Sequence, residues 1–140
     1  MPFFKGLEDP VVKRRSHDGV VLRRIMVTRD TDVIPTGDSL HGRHVLLGIT
    51  GGIAAVESVK LARELRRHGA ELTVVMTPSA QRIITPLAVR WASQAEVITD
   101  WDGDLGVLNS VDAVLVAPAT RDVMASHIHG LQHGPLMMAL

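Results

Sequence analysis

The feature that most constrains the fold is the run at residues 44–55, which reads HVLLGITGGIAA. Its first half, up to Ile49, is a short apolar run with β-branched residues, which is typical of a strand covered on both faces. Residues 50–52 then reverse the chain, and the spacing from Ile53 onward is helical. Glycine tolerates positive φ and lets a ligand approach the main chain. A helix that begins at such a turn presents free N–H groups, so this corner suits a phosphate.

The same order of strand, turn and helix continues along the chain. Residues 53–68 place apolar side chains on one stripe and charged ones largely opposite, as in a helix packed on one face. Gly69 is expected to end this helix, Thr85 followed by Pro86 to begin the next, and Gly130 to end the last. The predicted strands are residues 45–49, 71–76, 95–99 and 113–117, and the predicted helices are residues 53–68, 86–93 and 121–129.

Strands that alternate with helices and are apolar on both faces predict an α/β fold. We expect a doubly wound parallel sheet in a three-layer α/β/α sandwich of the Rossmann or flavodoxin-like kind. In such folds ligands bind at the carboxyl ends of the strands, where the strand order reverses. Three turns lie at those ends and are expected to face one crevice: residues 50–52, 77–79 and 117–120.

Composition limits the kinds of function. The chain has 140 residues, which suits one domain with one core. Its 15 basic and 15 acidic residues give a formal net charge of zero, so the overall charge favours neither nucleic acid nor an anionic membrane as a partner. The absence of cysteine excludes disulfides, thiol catalysis and cysteine-held metals, and it is compatible with a reducing cytoplasm. No apolar stretch suits a signal peptide or a membrane span.

Residues 1–42 differ from the rest and are assigned to an N-terminal arm, with the domain proper at residues 43–140. Basic residues alternate there with acidic residues and short apolar pairs, so the arm is expected to be solvated or to contact another subunit. Contact of the basic pairs with phosphate is the alternative. Residues 19–28 are expected to form a strand, and residues 35–42 have the composition of a connector.

Three motifs, in this order, resemble one family. They are VLLGITGGIAA at residues 45–55, VVMTPSA at 74–80 with ITPL at 84–87, and DAVLVAPAT at 112–120. Together they are similar to the flavoprotein family of homo-oligomeric, flavin-containing cysteine decarboxylases, which includes phosphopantothenoylcysteine decarboxylase. The resemblance implies FMN at the strand ends, close to a subunit contact in a trimer or dodecamer. It further implies a cysteinyl or other small-molecule substrate and a cytoplasmic role in coenzyme A biosynthesis.

Carried over residue by residue, the resemblance places the cofactor against all three turns. Small residues allow flat contact with a ring, and hydroxyl and N–H groups satisfy a phosphate, which only accepts hydrogen bonds. The implied cofactor-binding residues are Thr50, Gly51, Gly52, Thr77, Ser79, Ala117, Pro118, Ala119, Thr120 and Arg121.

The sequence departs from the family pattern in three places. Asp104 stands where the decarboxylases carry a catalytic histidine, and an acid does not simply replace an imidazole as a base near neutral pH. Asp104 is nevertheless the candidate catalytic residue. After the APAT motif the family continues Ala-Asn-Thr, whereas this chain has RDV, and Asp122 repels a phosphate unless it points away. The chain also reaches Leu140 without the PAMN motif and substrate clamp, so the C-terminal part of the family domain is expected to be missing.

Several features have structural alternatives. The turn at residues 51–52 is alternatively only a tight connection, and Thr77 and Ser79 alternatively only end a strand and cap a helix. The acidic residues 100–104 lack the glutamate that closes a calcium loop, so they are assigned to a flexible loop at the mouth of the site.

No metal site is predicted, and the remaining histidines and tryptophans are assigned to ordinary roles. His127, His129 and His133 lack the spacing of a helical zinc site and are assigned to a partly exposed helix end. Trp91 and Trp101 are assigned to the core, with stacking on the flavin as the alternative.

The resemblance implies flavin-dependent oxidative decarboxylation of a cysteinyl substrate. Two alternatives keep the flavin. One is a small FMN-dependent oxidoreductase that transfers electrons, and the other is a non-catalytic oligomeric protein that stores or senses flavin. Flavin absorbance separates all three from an empty α/β scaffold.

Overall fold

The structure is a computed structural model that describes residues 11–16, 19–24 and 29–140. The chain separates into two compact units, Met1–Asp32 and Val33–Leu140. Across the described ranges, no helix combines the length and apolar character needed to cross a membrane.

The first unit contains an antiparallel hairpin of β1 (Val11–Ser16) and β2 (Gly19–Arg24). The strand predicted at residues 19–28 is present from Gly19 to Arg24, and residues 25–28 lie outside the described part. The sequence does not predict β1, because VVKRRS has no alternation of apolar and polar residues.

The second unit is built on a four-stranded, fully parallel sheet. The strand order across the sheet is β5-β4-β3-β6, so the chain moves outward from β3 to β5 and then returns to the other side of β3. The predicted doubly wound sheet is confirmed, and its order reverses between β3 and β6. The strands are β3 (His44–Ile49), β4 (Glu71–Met76), β5 (Val97–Ile98) and β6 (Ala113–Val116).

Helices cover both faces of this sheet, as the three-layer prediction requires. One core joins the sheet to the first two helices, and a second core joins its opposite face to the last two. The helices are α1 (Ser58–Arg67), α2 (Pro86–Ser93), α3 (Arg121–Ile128) and α4 (Pro135–Ala139), with 3₁₀ helices at Ile53–Glu57, Ala80–Arg82 and Leu105–Asn109.

Successive residues of the central strands alternate between the two cores. Leu47 and Val74 pack with α1 and α2, whereas Leu46 and Val75 pack with α3 and α4. All four side chains are at most 1% exposed. These strands read as uninterrupted apolar runs because both of their faces are covered.

The prediction that residues 113–117 form a buried strand is wrong for one face of β6. Within the described residues β6 pairs only with β3, at the edge of the sheet. Ala113 and Leu115 are exposed, while Val114 and Val116 are half-buried against the second core. The apolar sequence alone does not reveal that no described helix covers the outer face.

The predicted helix ends are confirmed. The Thr85 hydroxyl accepts the N–H of Ala88 at 3.2 Å, and Pro86 is the first residue of α2. Gly69 and Gly130, just past the ends of α1 and α3, have φ of +89° and +66°. A residue with a side chain is strained at such φ values, so glycine ends both helices at low conformational cost.

The segment that the sequence assigns to a connector is hydrogen-bonded to the end of α1. The N–H groups of Thr36 and Gly37 donate to the carbonyl of Arg67 at 3.0 and 3.4 Å, and the N–H of Leu40 donates to the carbonyl of His68 at 2.9 Å. These bonds satisfy carbonyl groups that a helix end otherwise leaves unpaired. The connector therefore belongs to the structure of the second unit.

Candidate cofactor site

A cavity of about 520 Å³ opens at the carboxyl ends of the sheet. Its volume lies within the range of about 300–1,000 Å³ that is usual for small-molecule sites. Residues after all four strands line it, so the predicted meeting of the three turns at one crevice is confirmed. The contributions of the strand ends are Thr50 and Gly51, then Thr77, Pro78 and Ser79, then Thr99, Asp100 and Trp101, and finally Thr120.

The cavity wall includes part of the predicted cofactor set. Thr50, Gly51, Thr77, Ser79 and Thr120 line it. The other predicted residues, Gly52, Ala117, Pro118, Ala119 and Arg121, lie in the same turns but outside the lining.

Thr50 joins the turn after β3 to the turn after β6. It is 1% exposed, and its hydroxyl donates to the carbonyl of Pro118. The same oxygen accepts the N–H of Thr120 at 3.1 Å. Because these two bonds engage both its donor and an acceptor site, the hydroxyl holds the two turns together.

The tolerance of glycine for positive φ, one of the two reasons given for this turn, is not used here. Neither Gly51 nor Gly52 has a left-handed backbone; φ of Gly52 is −84°. The glycines are needed because the turns pack closely. A Cβ on Gly51 would lie 2.4 Å from Cβ of Ser79, and one on Gly52 would lie 3.2 Å from the ring of Pro118.

The first helix also starts differently from the prediction. The residues directly after Gly52 form a 3₁₀ helix, Ile53–Glu57, and the α-helix begins at Ser58. The 3₁₀ segment is tighter and its hydrogen bonds have poorer geometry, so it contributes less dipole at the turn than a full α-helix. The small residues of the turn, rather than a helix terminus, are what this corner offers to a ligand.

The second turn offers a hydroxyl, that of Ser79, which has no hydrogen-bond partner among the described residues. The hydroxyl of Thr77 is engaged, because it accepts the N–H of Ala80 at 3.3 Å and donates to the carbonyl of Ile49 at 3.4 Å. Ser79 is exposed and makes no capping bond, although it precedes the 3₁₀ helix Ala80–Arg82. The capping alternative therefore applies to Thr77, while the Ser79 hydroxyl remains available to a ligand.

The turn after β6 begins with a cis peptide bond between Ala117 and Pro118 and ends at the start of α3. Thr120 caps this helix through its hydroxyl, which accepts the N–H of Val123 at 3.4 Å. Asp122, in the first turn of the helix, lines the cavity, whereas Arg121 is exposed outside it. The acidic neighbour, not the basic one, thus faces the site.

Asp104 lies outside the cavity lining. It is exposed, and its carboxylate accepts the N–H of Gly106 at 3.0 Å, which caps the 3₁₀ helix Leu105–Asn109. A capping role explains an aspartate at this position without any catalytic function.

Both tryptophans are surface residues, so their assignment to the core is wrong. Trp91 is 53% exposed on α2, and Trp101 is 48% exposed and lines the cavity. Trp101 follows β5, whose carboxyl end opens at the same edge of the sheet as the others. Of the two tryptophans, only Trp101 is therefore placed to stack on a flavin in the cavity.

Sequence reasoning missed the contribution of residues 133–137. His133 and Gly134 line the cavity, and so do the buried side chains of Pro135, Leu136 and Met137. The proline at the first position of α4 is the available signal for this element.

The cavity has an acidic character. Asp100 and Asp122 line it, whereas the described residues of the lining include no lysine or arginine. Hydroxyl groups of Thr99 and Ser126 add neutral polar contacts. An anionic ligand therefore has to be held by neutral donors.

The fold and the cavity define the class of this protein, a doubly wound α/β protein with a cavity at the topological switch point. A comparison with protein families identifies the family within that class. The chain belongs to the Flavoprotein family, whose model matches residues 34–140. The predicted resemblance is confirmed.

Known proteins similar to the chain agree with this assignment. The chain is 41% identical over 104 residues to the coenzyme A biosynthesis bifunctional protein CoaBC of Thermococcus kodakarensis. The aligned region covers 69% of this chain and 26% of that protein. The chain thus spans about a quarter of the length of the curated relatives that it matches.

Solved structures resemble the fold over most of the chain. The cypemycin decarboxylase CypD is 28% identical with a TM-score of 0.64, and the match covers 74% of this chain and 65% of that one. The FMN-dependent cysteine decarboxylase TvaF, from thioviridamide biosynthesis, is 26% identical with a TM-score of 0.65, covering 70% and 65%.

Proposed function

We propose that the chain binds FMN in the cavity at the carboxyl edge of its sheet. The observation that carries this proposal is the convergence of the turns after β3, β4 and β6 on one cavity of about 520 Å³. Family membership and the FMN-dependent relative TvaF support it.

The residues of the cavity fit this cofactor. The free hydroxyl of Ser79 and the main chain of the Gly51 turn are neutral donors for a phosphate, as an acid-lined cavity requires. The indole of Trp101 and the side chains of Leu136 and Met137 offer apolar surface to a flavin ring. When bound, FMN supplies a ring that accepts electrons from a substrate.

The proposed reaction is oxidative decarboxylation of a cysteinyl substrate, since CypD and TvaF are decarboxylases by name. Asp104 lies outside the cavity, so we assign proton transfer to His133, the one imidazole in the described part of the lining. Imidazole is the side chain that exchanges protons near neutral pH. The position of Asp104 also favours a second function, FMN-dependent electron transfer without release of carbon dioxide.

We further propose that the protein is a homo-oligomer in the cytoplasm. Leu87 and Trp91 on α2 are 63% and 53% exposed, and Met124 and Ile128 on α3 are 49% and 78% exposed. Each pair is spaced four residues apart and so lies on one face of its helix. Exposed apolar faces of this kind are typical of subunit contacts.

Purified protein is expected to carry FMN or to take it up when titrated. The quenching of flavin fluorescence should saturate near one FMN per chain, and bound flavin should add its absorbance bands to the spectrum. A colourless preparation that takes up no added FMN would contradict the proposal. Release of carbon dioxide from a peptide with a C-terminal cysteine then separates the decarboxylase from the electron-transfer protein.

The variant Asp122→Asn is expected to bind FMN about three- to tenfold more tightly, because it removes a negative charge from a cavity that receives an anionic phosphate. The gain should shrink at high salt, which screens the repulsion. Titration with FMN at low and high ionic strength measures both effects. The control is Asp102→Asn, which removes the same charge from an exposed residue outside the lining. Equal affinities of the two variants would contradict the acidic character assigned to the cavity.

A further inference from the structure

The reversal of strand order sends the turns after β3 and β6 to helices on opposite faces of the sheet. The turn after β3 leads to α1 on one face of the sheet, and the turn after β6 leads to α3 on the other. The two helices therefore diverge and do not hold the turns together. The last main-chain bond between the strands runs from the N–H of Ala117 to the carbonyl of Gly48, at 2.9 Å.

Beyond that bond, and beside the packing of Gly52 on Pro118, the Thr50 hydroxyl makes the hydrogen bonds that join the two turns within the described chain. It donates to the carbonyl of Pro118 and accepts the N–H of Thr120 at 3.1 Å. Thr50 belongs to the cavity lining, but it is only 1% exposed, and its hydroxyl is engaged by these two bonds. Thr120 and Gly51, the residues on either side of this link, both line the cavity.

We propose that Thr50 is a positioning residue for the cofactor: its hydroxyl sets the spacing between the Gly51 turn and the Thr120 turn, and thereby the affinity of the cavity for FMN. The proposal rests on the proposed function. It differs from the expectation that Thr50 touches the flavin, because the hydroxyl acts through the two turns that it joins.

The test compares substitutions that keep or remove this hydroxyl. Thr50→Val nearly keeps the shape of the side chain but leaves the carbonyl of Pro118 and the N–H of Thr120 without their partner. Thr50→Ser keeps both bonds. We expect FMN to bind about tenfold more weakly to the valine variant and within about threefold of wild type to the serine variant.

Thr73→Val is the matched control for loss of stability alone. Thr73 is 4% exposed, and its hydroxyl is bonded to Nε2 of His44, at the amino end of β3, at 2.8 Å. Its loss should destabilise the fold to an extent comparable with Thr50→Val, and it should leave the FMN dissociation constant unchanged. A purely structural role of Thr50 predicts that both valine variants bind FMN like wild type at temperatures where they are folded.

Hydrogen exchange of the wild-type chain adds a readout that requires no variant. The amide of Thr120 should be protected to nearly the level of the sheet amide of Ala117, because it donates to a buried oxygen. Rapid exchange at Thr120 would overturn the proposal, even if the valine variant did not fold.

The outcomes of the FMN titration are distinct. A wild-type chain that binds FMN no more tightly than its Thr50→Val variant overturns this inference and leaves the proposed function intact. A wild-type chain that takes up no FMN overturns both. Weak binding by Thr50→Val, with normal binding by Thr50→Ser and Thr73→Val, supports the positioning role.

Discussion

Replacing Gly51 by alanine should lower the free energy of unfolding by about 1–3 kcal/mol and weaken FMN binding more than tenfold. The new Cβ would lie 2.4 Å from Cβ of Ser79, with the carbonyl carbon and Cα of Ser79 at 3.3 and 3.4 Å. These atoms are main chain or attached directly to it, so a change of rotamer cannot relieve the clash. The two turns have to separate, which disturbs the cavity that they line. Denaturant unfolding and FMN titration measure the two effects.

Two further variants isolate the cause of this loss. Adding Ser79→Gly to Gly51→Ala removes the opposing Cβ and should restore much of the stability. Substitutions at residues in contact are coupled in this way, so their effects do not add. Gly134→Ala introduces the same methyl group at another cavity residue, where no heavy atom lies within 4 Å, and should unfold like wild type. If Gly51→Ala were as stable as Gly134→Ala, close packing of the turns would not explain the glycine.

The variant Leu136→Ala should lower the free energy of unfolding by about 2–5 kcal/mol. Leu136 is 2% exposed, belongs to the second core and lines the cavity. Its Cδ1 occupies the space above Gly48, where a Cβ would lie 2.5 Å away. Truncation leaves a void against the central strand that the rigid sheet cannot close, and it widens the cavity. Thermal and denaturant unfolding report the loss of stability.

The matched control for this prediction lies four residues further along the chain. Leu140 is 40% exposed, so Leu140→Ala should change the stability by no more than about 0.5 kcal/mol. Similar stabilities of the two variants would show that α4 does not contribute to the core.

The sequence predicts the parts of this fold that depend on local signals. The apolar runs of β3 and β4 predict parallel strands buried on both faces, and they are. Thr85 and Gly69 mark helix ends through their own side chain or backbone. β6 has the same apolar pattern as β3, and its exposed face depends on which elements lie beside it. That information is not contained in the strand itself.

In the candidate site, too, the sequence predicts the features that have local signals and not those that depend on distant contacts. The three turns are predictable because they follow three recognisable strands, and the fold brings the ends of parallel strands to one edge. The contact of Gly51 with Ser79 is long-range, and the sequence does not predict it; the tolerance of glycine for positive φ is not what the turn uses. The sequence places residues 100–104, and with them Trp101, at the mouth of the site, whereas the contribution of His133 depends on the path of the segment before α4. Asp104 stands at a family motif position, yet its carboxylate caps a helix.

The position of β6 has a consequence for how this protein is handled. One long side of this strand, as far as the described residues extend, presents main-chain N–H and C=O groups that no neighbouring strand engages. Leu115, 36% exposed, adds an apolar side chain to the same margin. An exposed edge strand of this kind can pair with another extended segment, either from a second molecule or from an added peptide, which then adds a strand to the sheet. Concentrated solutions should therefore tend toward intermolecular β-pairing, and the charge introduced by Leu115→Lys should suppress it.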